Sequence, residues 1–269
     1  MMPILFIVAG ILTIGGLVYS FQEKMIFFPE KLPQEYAFDF EGSSEFEEIN
    51  FQTEAKISIN ALLFKAGTSA KGGLVLYFHG NAGSLHSWGY IAGDFTQKGF
   101  DILIIDYRGY GKSTGKINSE KGLHQDASFI YNKMRERYNE DEIVVYGRSI
   151  GTAIAAKVAA ENNPKSLILE SAYYNFIDLA NHHYSIFPNS ILLKYRLANN
   201  TYLPKVNCPV FLIHGTQDHI VPYESSVKLA QLSKNIKLTG IEGGGHNDLN
   251  SFQEYHIWLD RVLKIKNRP

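Results

Sequence analysis

The sequence carries no surplus of basic charge and almost no cysteine. Its 269 residues include 26 Lys and Arg against 27 Asp and Glu, which gives a formal net charge of −1. Proteins that bind nucleic acid need basic side chains to neutralise phosphates, so we expect no nucleic-acid partner. The single cysteine, Cys208, excludes an internal disulfide and a cysteine-rich zinc site. We expect no metal and no cofactor, and the length fits one large domain or at most two.

Charge is also missing from the first 21 residues. The run from Ile4 to Tyr19 is apolar on every face of a helix, whereas an amphipathic helix of a globular domain shows a polar stripe. At about 1.5 Å per residue, such a helix spans about 30 Å, which is the thickness of the hydrocarbon core of a bilayer. We therefore predict a transmembrane anchor at residues 1–21 and a folded domain at residues 22–269.

The main alternative for this segment is a cleaved signal peptide. No Lys or Arg precedes the apolar run, and the stretch 18–22 offers no small residue three positions before a plausible cleavage site. A buried helix of a water-soluble domain is a third interpretation. Lys24 and Lys31 follow the run and favour a folded domain on the cytoplasmic side, although Glu23 and Glu30 weaken that bias.

Short apolar runs alternate with helical patterns along the rest of the chain. Runs that do not alternate in polarity are buried on both faces, and strands separated by helices are parallel. The predicted strands are 56–64, 74–78, 102–105, 143–146, 167–169, 210–213 and 236–238. The predicted helices are 84–98, 119–138, 151–161, 223–232 and 252–265. This order predicts an α/β fold with a mostly parallel central sheet and helices on both faces, and a small helical cap at 175–207.

A nucleophile motif lies between one of these strands and the following helix. Gly147-Arg148-Ser149-Ile150-Gly151 has the pattern Gly-x-Ser-x-Gly, which places a serine on a tight turn. Glycines on either side remove side chains that would collide in such a turn, and the helix that follows directs its positive end toward the site. The bare pattern can arise by chance, but its strand–turn–helix setting makes Ser149 the predicted nucleophile.

An acid and a base are expected after the serine in the order acid, then histidine. His246 follows three glycines just past the last predicted strand, so it is the predicted base. Asp218 follows the strand at 210–213 and is the predicted acid that orients the imidazole. Glu170, at the end of the preceding strand, stays as the alternative acid.

The loop after the strand at 74–78 is the candidate oxyanion hole. It reads His79-Gly80-Asn81, and Gly80 lets the chain turn the Asn81 amide inward. The second donor would be the amide of Ile150, directly after the nucleophile. His79 is predicted to hold this loop by hydrogen bonding rather than to act as a base.

One glycine-rich stretch resembles the end of a phosphate-binding loop. Gly109-Tyr110-Gly111-Lys112-Ser113 lacks the required earlier glycine, because that position is Asp106. We interpret the stretch as a structural turn and Lys112 as a solvated charge.

Taken together, these motifs resemble the α/β-hydrolase superfamily. The similarity extends from Gln22 to about Leu263, and is greatest for a membrane-anchored branch that includes acyl-protein depalmitoylases and serine aminopeptidase-like sequences. The segments that carry it are 22–29, His79–Gly83, Asp106–Gly111, Gly147–Gly151, His214-Gly215 with Asp218, and Gly245–Asp248. The resemblance implies that Ser149, Asp218 and His246 form a charge-relay triad.

The resemblance implies a serine esterase or thioesterase acting on a small-molecule or lipid-like acyl substrate, or on an acylated protein at a membrane. A serine aminopeptidase-like activity is the first alternative. It would need carboxylates in the cap to bind a free amino terminus, and Asp178 is the only acidic residue from Tyr173 to Asn207. A non-catalytic membrane scaffold is the second alternative, although its triad would normally be incomplete.

Overall fold

Short hydrophobic runs rich in valine, isoleucine and leucine form the central sheet. The computed structural model describes residues 2–41, 45–67 and 72–264, and of residues 2–12 and 14 it describes the backbone alone. Its strands are β1 (Phe28–Pro29), β2 (Phe46–Glu54), β3 (Ile57–Phe64), β4 (Leu74–Phe78), β5 (Ala82–Gly83), β6 (Asp101–Ile105), β7 (Ile143–Arg148), β8 (Ser166–Glu170), β9 (Val210–Gly215) and β10 (Ile236–Ile241). Within the described ranges, eight of them pair in the order β10-β9-β8-β7-β4-β6-β3-β2.

The sheet is mostly parallel, as predicted. Every neighbouring pair from β10 to β6 is parallel, whereas β3 pairs antiparallel with both β6 and β2. The edge strand β2 was not predicted, because its alternation of phenylalanine and isoleucine with glutamate resembles an exposed segment. Because the parallel strands end at one edge of the sheet, the residues that follow β4, β7, β8 and β9 meet there.

Helices cover both faces of the sheet. They are α1 (Met2–Ile26), α2 (Leu85–Trp88), α3 (Gly93–Thr96), α4 (Glu120–Arg135), α5 (Gly151–Glu161), α6 (Phe176–His183), α7 (Asn189–Leu192), α8 (Asn199–Tyr202), α9 (Tyr223–Ala230) and α10 (Gln253–Leu263). Buried side chains of α4 and α5 pack in one core cluster, and those of α3 and α10 pack in another. One of these two clusters lies on each face of the sheet.

Two predicted segments have different outcomes. The continuous helix predicted at 84–98 is wrong: α2 and α3 are separated by a 3₁₀ turn at Gly89–Ala92. Gly89 packs against the ring of Phe40, where a Cβ would collide, and glycine weakens a helix interior.

The cap predicted at 175–207 contains the three helices α6, α7 and α8. The side chain of Asn175 accepts a hydrogen bond from the Asp178 amide at 2.8 Å and starts α6.

The end of α1 packs against the cap. Gln22 is only 1% exposed, donates to the Leu192 carbonyl at 3.2 Å and accepts from the Lys194 amide at 2.8 Å. Among the residues whose side chains the structure describes, no helix has the length and apolarity needed to cross a bilayer. Most of the anchor predicted at residues 1–21 falls on residues 1–12 and 14, whose side chains lie outside the described part.

Candidate active site

The turn between β7 and α5 holds Ser149 in a strained backbone conformation. Its φ of +52° lies in the left-handed region that non-glycine residues rarely adopt. Gly147 and Gly151 make the turn possible, because a Cβ on Gly147 would meet the Gly151 carbonyl and one on Gly151 would meet the Phe78 carbonyl. The Ser149 amide donates to the Glu170 carbonyl at 2.9 Å and ties the turn to β8. Strain of this kind persists only where surrounding packing enforces it.

Three predicted side chains meet above this turn. The Ser149 Oγ lies 3.0 Å from His246 Nε2, and His246 Nδ1 lies 2.7 Å from Asp218 Oδ2. A carboxylate only accepts hydrogen bonds, so Nδ1 carries the proton and Nε2 is left to accept from the serine hydroxyl. The arrangement can therefore move a proton from the Ser149 hydroxyl to the imidazole while the carboxylate holds the ring in the required tautomer.

Asp218 is held as an anion by four donors. Its Oδ1 accepts from the amides of Ile220 and Val221, both at 2.8 Å. Its Oδ2 accepts from His246 and also from His214, at 3.1 Å. Burial disfavours the charged carboxylate, but the hydrogen bonds from the two histidines outweigh it and hold the pKa of Asp218 well below its usual range.

The alternative acid, Glu170, has other partners. Its carboxylate contacts Arg148 Nε at 3.1 Å and accepts from the Tyr146 hydroxyl at 2.5 Å. Arg148 in turn donates to the His246 carbonyl and to the Asn247 side chain, both at 3.2 Å. Glu170 is therefore linked to the histidine loop through Arg148, while Asp218 contacts the imidazole directly.

The loop after β4 brings the Asn81 amide close to the serine. Its carbonyl accepts from the Tyr110 hydroxyl at 2.7 Å and from the Phe28 amide at 2.8 Å, and its side chain donates to the Ile26 carbonyl at 3.2 Å. Within the described ranges, neither the Asn81 amide nor the Ile150 amide donates a hydrogen bond to another protein group. Two free donors thus lie at the lining of the same pocket as Ser149.

His79 lies beneath this loop, out of reach of solvent. Its side chain is completely buried, and Nδ1 lies 2.6 Å from the Gly80 carbonyl. Its Nε2 faces Asp106 at 3.5 Å, and its ring stacks on Trp88 with 5.4 Å between ring centres. Asp106 accepts from the Leu85 amide at 3.1 Å and joins the loop to the start of α2. Among the described residues, these contacts join His79 to the loop, to Asp106 and to Trp88, and none of them is with Ser149.

Comparison with known proteins identifies the family. The family described as "Serine aminopeptidase, S33" matches residues 69–201, and the one described as "alpha/beta hydrolase fold" matches residues 169–250. An uncharacterized protein, YfhR of Escherichia coli O157:H7, is 32% identical over 199 residues, which cover 71% of this chain and 69% of that protein. Protein bem46 of Schizosaccharomyces pombe is 30% identical over 237 residues, which cover 82% of this chain and 78% of the relative. The chain belongs to the α/β-hydrolase superfamily.

Solved α/β-hydrolase structures agree with this fold. An esterase of Pyrococcus furiosus, Pf2001, superposes with a TM-score of 0.69 at 19% identity, covering 89% of this chain and 97% of that one. Est1E of Butyrivibrio proteoclasticus, with ferulic acid bound, superposes with a TM-score of 0.63 at 22% identity, covering 80% and 96%. At these identities the likeness establishes the fold alone.

A cavity of about 290 Å³ opens over the serine of this hydrolase. Its lining is Gly80, Asn81, Ala82, Trp88, Arg148, Ser149, Ile150, Tyr173, Phe176, Leu179, Ile220, Val221, His246 and Asn247. The loop after β8 (Tyr173), α6 (Phe176 and Leu179) and the loop after β9 (Ile220 and Val221) contribute apolar side chains to this lining. The lining also contains Trp88 and the guanidinium of Arg148, whose centre lies 5.2 Å from the Trp88 ring.

Sequence reasoning missed two residues at this site and misjudged a third elsewhere. The local sequence around Arg148 and Trp88 does not indicate that they lie at the site, because their contacts join segments that are distant in the chain.

The prediction that Lys112 is a solvated charge is wrong, because its side chain is only 9% exposed. Its ammonium donates to the Tyr36 carbonyl at 3.0 Å and pairs with Glu48 at 2.7 Å, so its charge is neutralised inside the fold.

Proposed function

We propose that this chain is a serine hydrolase that cleaves carboxylic ester or thioester bonds through a covalent acyl-enzyme. The observation that carries the proposal is the continuous line of hydrogen bonds from Ser149 Oγ through His246 to Asp218. The serine oxygen attacks the acyl carbon while its proton moves to His246 Nε2. The imidazolium then gives this proton to the departing alcohol or thiol. A water, deprotonated by His246 in turn, releases the acid and regenerates the serine.

In the same proposal, the amides of Asn81 and Ile150 form the oxyanion hole. The negative charge that develops on the acyl oxygen needs preorganised donors, and each lost donor typically costs about 10²- to 10³-fold in kcat. Ile150 lies at the start of α5, so the positive end of that helix adds to the same stabilisation. The contacts that fix the Asn81 carbonyl and side chain support a preorganised loop.

Amide hydrolysis is the second candidate, since one matching family is described as a serine aminopeptidase. A peptidase that binds a free amino terminus needs an unpaired carboxylate near the serine. The residues that line the described cavity include no Asp or Glu, and Asp178 of the cap pairs with Lys228 at 3.2 Å. This composition favours esters over aminoacyl amides. Faster hydrolysis of aminoacyl 4-nitroanilides than of matched 4-nitrophenyl esters would reverse the order.

We further propose that residues 1–21 tether the enzyme to a membrane, with the folded domain on the cytoplasmic side. The proposed substrate is a lipid-like acyl group or an acylated protein. The support for the tether is the absence of charge from this segment, and the support for the cytoplasmic side is Lys24 and Lys31 after it. The test is extraction of membranes with alkaline carbonate. The native chain should stay in the pellet, and Ile7→Lys/Ile11→Lys in the full chain should move it to the supernatant. Release of the native chain would contradict the tether without affecting the proposed chemistry.

Labelling with a fluorophosphonate probe tests the serine mechanism directly. The native protein should become labelled, Ser149→Ala should not, and Ser190→Ala should label like the native protein, because Ser190 is exposed on α7 away from the pocket. A panel of esters and thioesters of increasing acyl length then defines the substrate. Absent labelling of the native protein, or equal labelling of Ser149→Ala, would contradict the proposal.

A further inference from the structure

The carboxylate of Asp218 contacts a second histidine besides His246. His214, near the end of β9, is completely buried, and its Nε2 lies 3.1 Å from Asp218 Oδ2. That oxygen also accepts from His246 Nδ1 at 2.7 Å. One carboxylate oxygen is thus shared by two imidazoles, one of which faces the serine and the other of which faces the protein interior.

The partners of His214 fix where its proton lies. Its Nε2 also lies 2.9 Å from the Val221 carbonyl, which accepts hydrogen bonds only, as does the carboxylate. Nε2 must therefore carry the proton and donate. The other nitrogen, Nδ1, lies 2.7 Å from the Ser226 hydroxyl, which also lies 3.2 Å from the Ala172 carbonyl. A buried imidazole with both nitrogens engaged cannot turn away from Asp218 without leaving buried polar atoms unpaired.

We propose that His214 is a positioning residue of the triad: its Nε2–H holds the carboxylate of Asp218 and shares the oxygen that orients His246. The inference rests on the proposed function. Because both imidazoles donate to the same oxygen, the His214 hydrogen bond competes with the one that orients His246. Removing the Nε2–H donor should free the carboxylate to rotate and should strengthen its pull on the His246 proton.

The surroundings leave Asp218 as the link between the two histidines. In the part of the chain that the structure describes, Asp218, Tyr223, Arg148 and Asp248 are the titratable or charged groups near these histidines that bear on the inference. Tyr223, at the start of α9, contacts the His214 ring edge to face, with 5.8 Å between ring centres. Arg148 donates to the His246 carbonyl, and Asp248 accepts from the Gly245 amide at 2.7 Å. Of these groups, only Asp218 contacts both imidazoles, so a change at His214 reaches His246 through it.

The test compares pH profiles of kcat/KM for the native chain, His214→Phe and His214→Gln with 4-nitrophenyl butyrate. Phenylalanine keeps the ring and removes both nitrogens. We expect kcat to fall about tenfold, equivalent to about 1.4 kcal/mol, with KM changed less than about twofold. The acid limb should move to higher pH by about half a unit. Glutamine restores an N–H donor near the Nε2 position, so we expect kcat within about threefold of the native value.

Leu212→Ala is the matched control for loss of packing. Leu212 lies two residues earlier on β9, is completely buried and makes no hydrogen bond through its side chain. Its truncation should lower the melting temperature while leaving the acid limb in place. A native pH profile and native kcat in His214→Phe would overturn the inference, as would an equal shift of the acid limb in Leu212→Ala.

Failure of the proposed function gives a different result from failure of this inference. A native chain that neither hydrolyses esters nor reacts with a fluorophosphonate contradicts the function. The role of His214 is then measured from the downfield proton resonance of the His246–Asp218 hydrogen bond. The resonance should move in His214→Phe and stay in Leu212→Ala. An unchanged resonance in His214→Phe overturns the inference whether or not the protein is active.

Discussion

The guanidinium of Arg148 joins the nucleophile turn to the loop that carries His246, and its removal should affect stability and catalysis separately. The Arg148 side chain is 13% exposed and that of its partner Glu170 is 5% exposed. Burial disfavours its charge, but the attraction of Glu170 outweighs this effect and raises the pKa of Arg148 above its usual value. Arg148→Met keeps the apolar stem and removes the cation, which leaves the charge of the buried Glu170 carboxylate without a cation to balance it.

The size of the stability effect follows from this loss. Removing one partner of a buried ion pair costs about 3–5 kcal/mol, and the partial exposure of Arg148 favours the lower end, about 3 kcal/mol. Arg148→Met/Glu170→Gln removes both charges and still lets residue 170 accept from the Tyr146 hydroxyl. The double variant should therefore recover most of the lost free energy of unfolding, to within about 1 kcal/mol of the native chain. Urea unfolding of the native chain and of both variants measures this difference.

Catalysis should not recover with stability. Arg148 donates to the His246 carbonyl and to Asn247, and no substitution of Glu170 replaces those bonds. A displacement of the imidazole by about 1 Å can cost about 10²-fold, so we expect kcat/KM to fall about 10- to 100-fold in both variants. Recovery of kcat/KM in the double variant would show that Arg148 acts only by neutralising Glu170. Native stability and activity in Arg148→Met would refute the reasoning altogether.

Three further predictions concern the turn, the acid and the cap. Ser149→Gly should be more stable than Ser149→Ala by about 1 kcal/mol in urea unfolding, because only glycine adopts a φ of +52° without strain, and both should be inactive. The folded pKa of Asp218 is lowered, so its stabilisation is present above about pH 4, the unfolded value, and is lost as the pH falls below it. The stability deficit of Asp218→Asn should thus be larger at pH 7 than at pH 3, and an equal deficit at both would contradict the lowered pKa. Gln22→Leu leaves the Leu192 carbonyl and the Lys194 amide unpaired; it should cost about 2 kcal/mol and speed proteolysis within the cap.

The parts of the fold that the sequence predicted well are those whose signal is local. The strand β7 before the Ser149 turn begins as an apolar run, and the helix α5 after the turn is rich in alanine. The strand–turn–helix unit can therefore be predicted from one short stretch of consecutive residues. The order of strands and helices likewise predicted a mostly parallel sheet, which the structure confirms. The edge strand β2 escaped prediction because one side of it faces solvent and its glutamates conceal the apolar alternation.

Long-range contacts explain what sequence reasoning could not find. Lys112 was predicted to be solvated, yet its ammonium reaches the Tyr36 carbonyl 76 positions away. His214 entered the sequence analysis only as part of a segment that resembles the superfamily, and its local sequence does not show that it contacts Asp218. Its burial and its contact with Asp218 depend on the pairing of β9 with both β8 and β10, which encloses the end of the strand.

The geometry of the site depends most on contacts between segments that are far apart in the chain. The Asn81 loop is fixed by the pairing of β1 with β5 and by the Ile26 carbonyl at the end of α1. The imidazole is fixed by Asp218 and the backbone of His246 by Arg148, each from a different strand end. Because these fixed points come from separate elements, no single helix or strand can move the serine, the histidine and the free amides together. A displacement of one element therefore changes the distances between these groups, which makes activity a more sensitive measure of local packing than the melting temperature.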